Sequence, residues 1–130
     1  MPKGQTYETD ILLLLFNATA IANIAQNNGT APETSLGVAL HTASPGETGT
    51  QLTNEAAYGA YARTDVARTS GGWTVGTSTC SPVANIDFVE ATSGSETETD
   101  FSIGKASNND LFYYGAISPT IAVSTGVTPR

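Results

Sequence analysis

The stretch "LHTASPGETGTQLTNEAAYGAYARTDVART", Leu40 to Thr69, contains the only histidine of the chain, His41. Glu47, Glu55 and Asp65 follow it, with Arg63 and Arg68 close behind. Histidine, carboxylate and guanidinium groups in one segment are the materials of a general-base site, a metal site or an anion clamp. A second acidic group lies further on, where Glu96, Glu98 and Asp100 alternate with Thr97, Thr99 and Phe101. On a strand these acids share one face, about 6–7 Å apart at successive positions. Two carboxylates so placed are what glycoside cleavage needs, and a row of them is what Ca²⁺ needs. Cys80 is the only thiol.

Each of these chemistries meets an objection in the same sequence. One histidine rules out the common multi-histidine zinc sites and leaves only sites built on several well-placed carboxylates. A serine triad would need His41 as its base, and the chain has no G-x-S-x-G. Alternation turns His41 away from Leu36, Val38 and Leu40, so it is expected hydrogen-bonded at a strand–loop junction. The Glu96–Glu98–Asp100 row reads as a solvated outer face whose like charges discourage edge-to-edge sheet pairing. "PGETGT" lacks the D-x-D-x-D-G spacing of a calcium loop, and there is no phosphate loop. Cys80 has no neighbouring His or Lys to lower its pKa, and a lone cysteine forms no disulfide within the chain. The expectation is a protein folded in a reducing cytoplasm, not an enzyme, with no cofactor and no metal.

The elements that carry these residues follow from hydrophobic period. Within 1–29, Ile11, Leu14, Leu15, Ala18, Ile21 or Ala22, and Ala25 form a helical stripe, with Thr6 or Thr9 as cap and "AQNNG" as the stop. Leu12, Leu13 and Phe16 spill outside that stripe, as on a helix buried by more than one neighbour. From Ser35 the period becomes 2, giving about seven strands: Leu36–His41, Tyr61–Arg68, Trp73–Cys80, Ala84–Val89, Glu96–Ile103, Leu111–Ile117 and Ile121–Val127. Pro45-Gly46, Ser70-Gly71-Gly72, Ser81-Pro82, Ser93-Gly94-Ser95, Asn108-Asn109-Asp110 and Ser118-Pro119 mark the turns. Strands at this spacing without intervening helices predict a mainly β protein, an antiparallel β-sandwich or jelly-roll-like domain with one N-terminal helix. The expected organisation is one domain over 1–130, with an arm and helix at 1–29 and the sandwich at 35–130.

Charge and composition bound the partners. The net charge is −7 with five basic residues, of which only Arg63 and Arg68 lie near each other, so neither nucleic acid nor an anionic membrane is expected. The uninterrupted apolar run, Ile11 to Phe16, is too short to span a bilayer, and Glu8 and Asp10 replace the basic region of a signal peptide. The N-terminal segment is therefore expected in the mature protein. "FYY" at Phe112–Tyr114 puts rings on both faces of one strand, and Tyr58 and Tyr61 form a second aromatic group. Tyrosine suits interfaces because it joins apolar area to a polar tip. The expected interface residues are Ile11, Leu12, Leu13, Phe16, Tyr58, Tyr61, Phe112 and Tyr114.

"LGVALHTASPGETGT", "YGAYARTDVART", "GGWTV", "SPVANIDF" and "YYGAISPTIAVSTGVTP", taken in order, resemble small structural proteins of tailed bacteriophages across nearly the whole chain. The resemblance implies a virion role and brings no catalytic residues with it. Its first implication is a capsid decoration (cement) protein, a homotrimer on the outer surface of the head that bridges subunits of the major capsid protein. Its alternative is a tail or fibre component that binds a host-surface glycan through loops carrying Glu47, Asn54 and Tyr58.

Overall fold

The structure is a computed structural model that describes residues 5–20 and 32–130. It is mainly β, with antiparallel pairing and one helix near the N-terminus, as the period predicts. The chain forms two compact units, one of Met1–Leu36 with Val66–Asn85 and one of Gly37–Asp65 with Ile86–Arg130.

In the first unit, α1 runs Gln5–Asn17, with Glu8 in its first turn where the helix dipole favours an acid. The helix stops well before "AQNNG". Ala18 takes a left-handed conformation (φ 52°) and Thr19 donates its N–H back to Leu13 O at 3.1 Å. The rest of the expected stripe, at 21–29, lies outside the described residues. The end of α1 is held by Arg68, a buried guanidinium. Its Nη2 donates to Leu14 O at 2.6 Å, its Nε to Leu15 O at 2.5 Å and its Nη1 to Glu33 O at 2.6 Å. A helix C-terminus has carbonyls without partners and partial negative charge, and a cation that donates several hydrogen bonds answers both. Phe16, on the last turn, packs its ring 4.7 Å from that of Trp73.

Trp73 begins a hairpin. The sequence reads Trp73–Cys80 as one strand, but the chain reverses at Gly76, whose N–H donates to Thr79 O at 2.8 Å. The result is β3 (Trp73–Val75) antiparallel to β4 (Cys80–Pro82), with Trp73 opposite Pro82. Gly-Thr-Ser-Thr supplies no apolar side chain that would hold a longer strand in place, so turn formation wins. Cys80 is half-buried, and burial pushes its thiol up to about 11, so it stays protonated and unreactive at neutral pH.

The larger sheet has the order β2-β1-β5-β6: β2 is Thr64–Ala67, β1 Ser35–His41, β5 Ser95–Lys105 and β6 Leu111–Ser124. β1 is buried at every position from Leu36 to His41, so its Gly37–Ala39–His41 face is covered rather than polar and open. The expected strand at Ala84–Val89 forms no ladder. Instead it is extended chain bonded to the C-terminal tail, with Phe88 N–H donating to Pro129 O at 3.0 Å and Ala91 N–H to Val127 O at 2.9 Å. The last two expected strands are one, β6. Its ladder with β5 breaks where Ser118-Pro119 predicts a turn: Glu98 faces Ile121 and Asp100 faces Ala116, leaving Ile117–Thr120 opposite Thr99.

Two substitutions test this account of the first unit. Arg68→Ala leaves buried carbonyls unsatisfied and is expected to cost about 2–4 kcal/mol in denaturant unfolding. Ala18→Gly relieves the left-handed alanine and is expected to stabilise by about 0.5–1 kcal/mol in the same assay.

Candidate functional site

The acids, arginine and histidine that invite a catalytic reading converge in the second unit, where β1, β5 and the long 42–63 connection meet. His41 ends β1 and is completely buried. Its Nδ1 lies 2.9 Å from Thr53 O, an atom that only accepts, so Nδ1 carries the proton. Nε2 then accepts the hydroxyl proton of Ser102, on β5, at 2.7 Å. Gln51 Nε2 donates to the same Ser102 Oγ at 3.3 Å and to Gly37 O at 2.9 Å. Burial lowers the pKa of His41, outweighing the Thr53 hydrogen bond and the Glu55 and Asp100 carboxylates that act the other way.

A serine hydroxyl 2.7 Å from an imidazole is the geometry of an activated nucleophile. Ser102, His41 and Gln51 are all 0% exposed, however, so no substrate carbonyl reaches Oγ in this arrangement. The line Gln51–Ser102–His41–Thr53 instead joins β5 to the end of β1 and to the connection. His41 is thus hydrogen-bonded at a strand–loop junction, as the sequence predicts. Its serine partner, sixty-one residues away, is a contact that local pattern does not signal.

Glu55 and Arg63 extend the network outwards. The guanidinium grips the carboxylate with two bonds, Nε to Oε1 at 2.6 Å and Nη2 to Oε2 at 2.8 Å. It also donates to Gln51 Oε1 at 3.3 Å, Asn108 O at 3.2 Å and Asn109 Oδ1 at 3.0 Å. Tyr61 accepts the Leu40 N–H at 3.1 Å and donates to Glu55 Oε1 at 3.2 Å. Every donor of the Arg63 fork that bonds does so to the chain itself, so the group clamps the connection to the β5–β6 turn. Glu47 and Asp65 are exposed and do not join, and Arg68 serves α1.

The β5 acids overturn the expected solvated face. Their row points inwards: Glu98 is fully buried, with Glu96 and Asp100 half-buried. Glu96 Oε1 accepts the N–H groups of Ala57 at 2.8 Å and Tyr58 at 2.9 Å, holding the far end of the connection. Both carboxyl oxygens of Glu98 are buried, and the neighbouring side chain is the Glu96 carboxylate. Burial, reinforced by the adjacent Glu96, pushes its pKa up to about 7. A raised acid beside a fixed carboxylate is the pairing a glycosidase uses, but Glu98 is sealed from any sugar. Among the described residues no set of three or more metal-binding side chains comes together.

The expected interface residues separate by exposure. Phe16 and Tyr58 are 3% exposed and serve the cores of their own units. Tyr58 stands edge-on to Tyr61 at 5.2 Å, and its hydroxyl donates to Val89 O at 3.1 Å. Ile11, Leu12, Leu13 and Tyr61 are half-buried. Phe112 and Tyr114 are 37% and 42% exposed, with Tyr113 between them at 42%.

Over residues 8–129 the chain matches the family model described as Podophage GP4 fiber I protein gp80, and it belongs to that family. No curated protein matches it.

Glu98 makes the site testable by pH. The unfolded chain releases this proton near 4.5, and the folded chain holds it to about 7. Its burial therefore costs nothing below the lower value, progressively more between the two, and its full amount above the upper. Glu98→Gln is expected to gain on the wild type by about 1–3 kcal/mol between pH 4.5 and 7, with no further gain above. The contribution of His41 is common to both proteins and cancels. Parallel melting curves across pH check the difference, and a constant offset would contradict a buried, raised acid.

Proposed function

We propose that this member of the podophage fibre family is a non-enzymatic structural component of the virion, carried on the tail as part of a fibre rather than on the head as a cement protein. The observation that carries this reading is the family match across residues 8–129. The chemistry of the chain supports it. The groups that converge where β1, β5 and the 42–63 connection meet are either sealed (His41, Ser102, Glu98) or committed to internal bonds (Glu55, Arg63, Glu96). Such a network gives a small domain rigidity and leaves its surface free for assembly.

The glycan-binding form of this reading relied on a loop surface of Glu47, Asn54 and Tyr58. Glu47 and Asn54 are exposed, but the Tyr58 ring that would stack on a sugar is in the core. The proposal is accordingly a structural part of the fibre, whose partners are neighbouring tail and fibre proteins.

Particles dissociated into heads and tails, with each fraction read by mass spectrometry, test the assignment. The chain is expected with the tail proteins at a copy number set by the fibres. Recovery only with the major capsid protein, in numbers matching the head lattice, would return the chain to the cement reading.

A further inference from the structure

We propose that Glu96 and Glu98 form a proton-operated latch on the 42–63 connection. While one proton is shared between the two carboxyl groups the Ala57–Tyr58 end is held, and when that proton leaves it is let go. The latch is independent of the fibre reading, since it opens or stays shut wherever the chain sits in the particle.

Both acids lie on β5, two residues apart, so their side chains leave one face of the strand with about 6–7 Å between their backbones. In the ladder with β6 they stand opposite Val123 and Ile121, which supply neither charge nor a side-chain donor. Both carboxyl oxygens of Glu98 are buried, and the side chain it bonds is Glu96. Two carboxylates have no donor between them, whereas a carboxyl group donates to a carboxylate. The bond therefore exists only with a proton in it, and Glu98, the more deeply buried of the two, holds that proton.

Glu96 is then the carboxylate, and its Oε1 accepts the N–H groups of Ala57 at 2.8 Å and Tyr58 at 2.9 Å. One negative charge with these donors around it is a satisfied arrangement. Removing the proton leaves two negative charges side by side and takes away a donor. Glu98 is 0% exposed and Glu96 is half-buried, so the pair relaxes by turning Glu96 towards water. The Ala57 and Tyr58 N–H groups lose their acceptor in that movement.

Other titratable groups face the pair or its row. Tyr58, from the connection, is raised above the ordinary 10 by burial and then by Glu98 and Glu96, so its phenol stays neutral. Asp100, the next acid of the row, accepts the Thr99 hydroxyl at 2.7 Å. His41, at the end of β1, is held below 6.5 and bonded to Ser102 and Thr53. Strand β6 carries no Asp, Glu, Lys or Arg. Glu98 itself is raised to about 7, by burial first and by its bond to Glu96 second. The latch is accordingly shut below that value and opens as pH rises through it.

Backbone bonds limit how far the opening spreads. On one side the Ala56 N–H donates to Leu40 O at 2.9 Å. On the other, Gly59 donates to Ser93 O at 2.9 Å and accepts from the Thr92 N–H at 3.0 Å. These bonds do not titrate, so the Ala56 and Gly59 amides are internal controls.

Amide exchange of the ¹⁵N-labelled full chain, followed by NMR from pH 6 to 8.5 and corrected for intrinsic base catalysis, tests the latch. Protection of the Ala57 and Tyr58 amides is expected to fall about tenfold with a midpoint near 7, while that of Ala56 and Gly59 holds. In Glu98→Gln the carboxamide donates to Glu96 at every pH, so protection at Ala57 and Tyr58 is expected to stay flat. Should that variant fold poorly, carboxyl ¹³C shifts of the wild type decide: the Glu96 and Glu98 signals are expected to move together near pH 7. Protection at Ala57 and Tyr58 that ignores pH, or an equal fall at Ala56 and Gly59, would overturn the latch. So would a fall that persists in folded Glu98→Gln, or carboxyl signals that titrate separately in the ordinary carboxylate range.

Discussion

The bond from Ser102 to His41 is the constraint on which the second unit depends. The 42–63 connection is long, polar and rich in glycine and threonine, and it has little apolar surface with which to hold itself down. It is fixed instead by polar anchors at successive points. His41 holds Thr53, Gln51 reaches Ser102 and Gly37, Arg63 grips Glu55 and the β5–β6 turn, and Glu96 takes the N–H groups of Ala57 and Tyr58. Buried polar groups stabilise only when satisfied, and His41, Ser102 and Gln51 satisfy one another in sequence. Glu98 stands apart as a buried carboxyl beside the Glu96 carboxylate, a position tolerable because the group stays protonated to about neutral pH.

This arrangement seals or occupies the groups that invite an active-site reading. A catalytic serine–histidine pair needs a cavity in front of the oxygen, and a carboxylate pair needs room for a substrate between its members. Here the same groups face one another and the backbone. What remains outside is a chain of few charges with a long, uncharged strand at its sheet margin, a surface suited to assembly.

The β character, the N-terminal helix and most turn positions were legible from period and turn chemistry. His41 was legible as well, because a lone histidine at the end of an alternating strand has few other roles. The misreadings share a cause. Alternation places residues on faces but does not say which face is covered, so Glu96, Glu98 and Asp100 were expected in water and lie inwards. The connection that covers them is held by contacts 38 and 39 residues apart. Likewise Trp73–Cys80 alternates well enough for a strand, but four small polar residues close a turn more readily than they extend a ladder. Ser118-Pro119 marked a real interruption, which broke the β5–β6 register without ending the strand.

Because the chain has one histidine, a single ¹⁵N signal set reports on the central interaction. Long-range ¹H–¹⁵N spectra of His41, followed from pH 8 downwards, measure both the tautomer and the titration of the ring. A sealed Ser102–His41–Thr53 line predicts a proton on Nδ1, an acceptor Nε2, and a midpoint below the ordinary 6.5 in the folded protein. An Nε2–H tautomer that titrates freely at 6.5 would contradict it, and would mean that the connection opens and that its histidine, serine and carboxylates are available for chemistry after all.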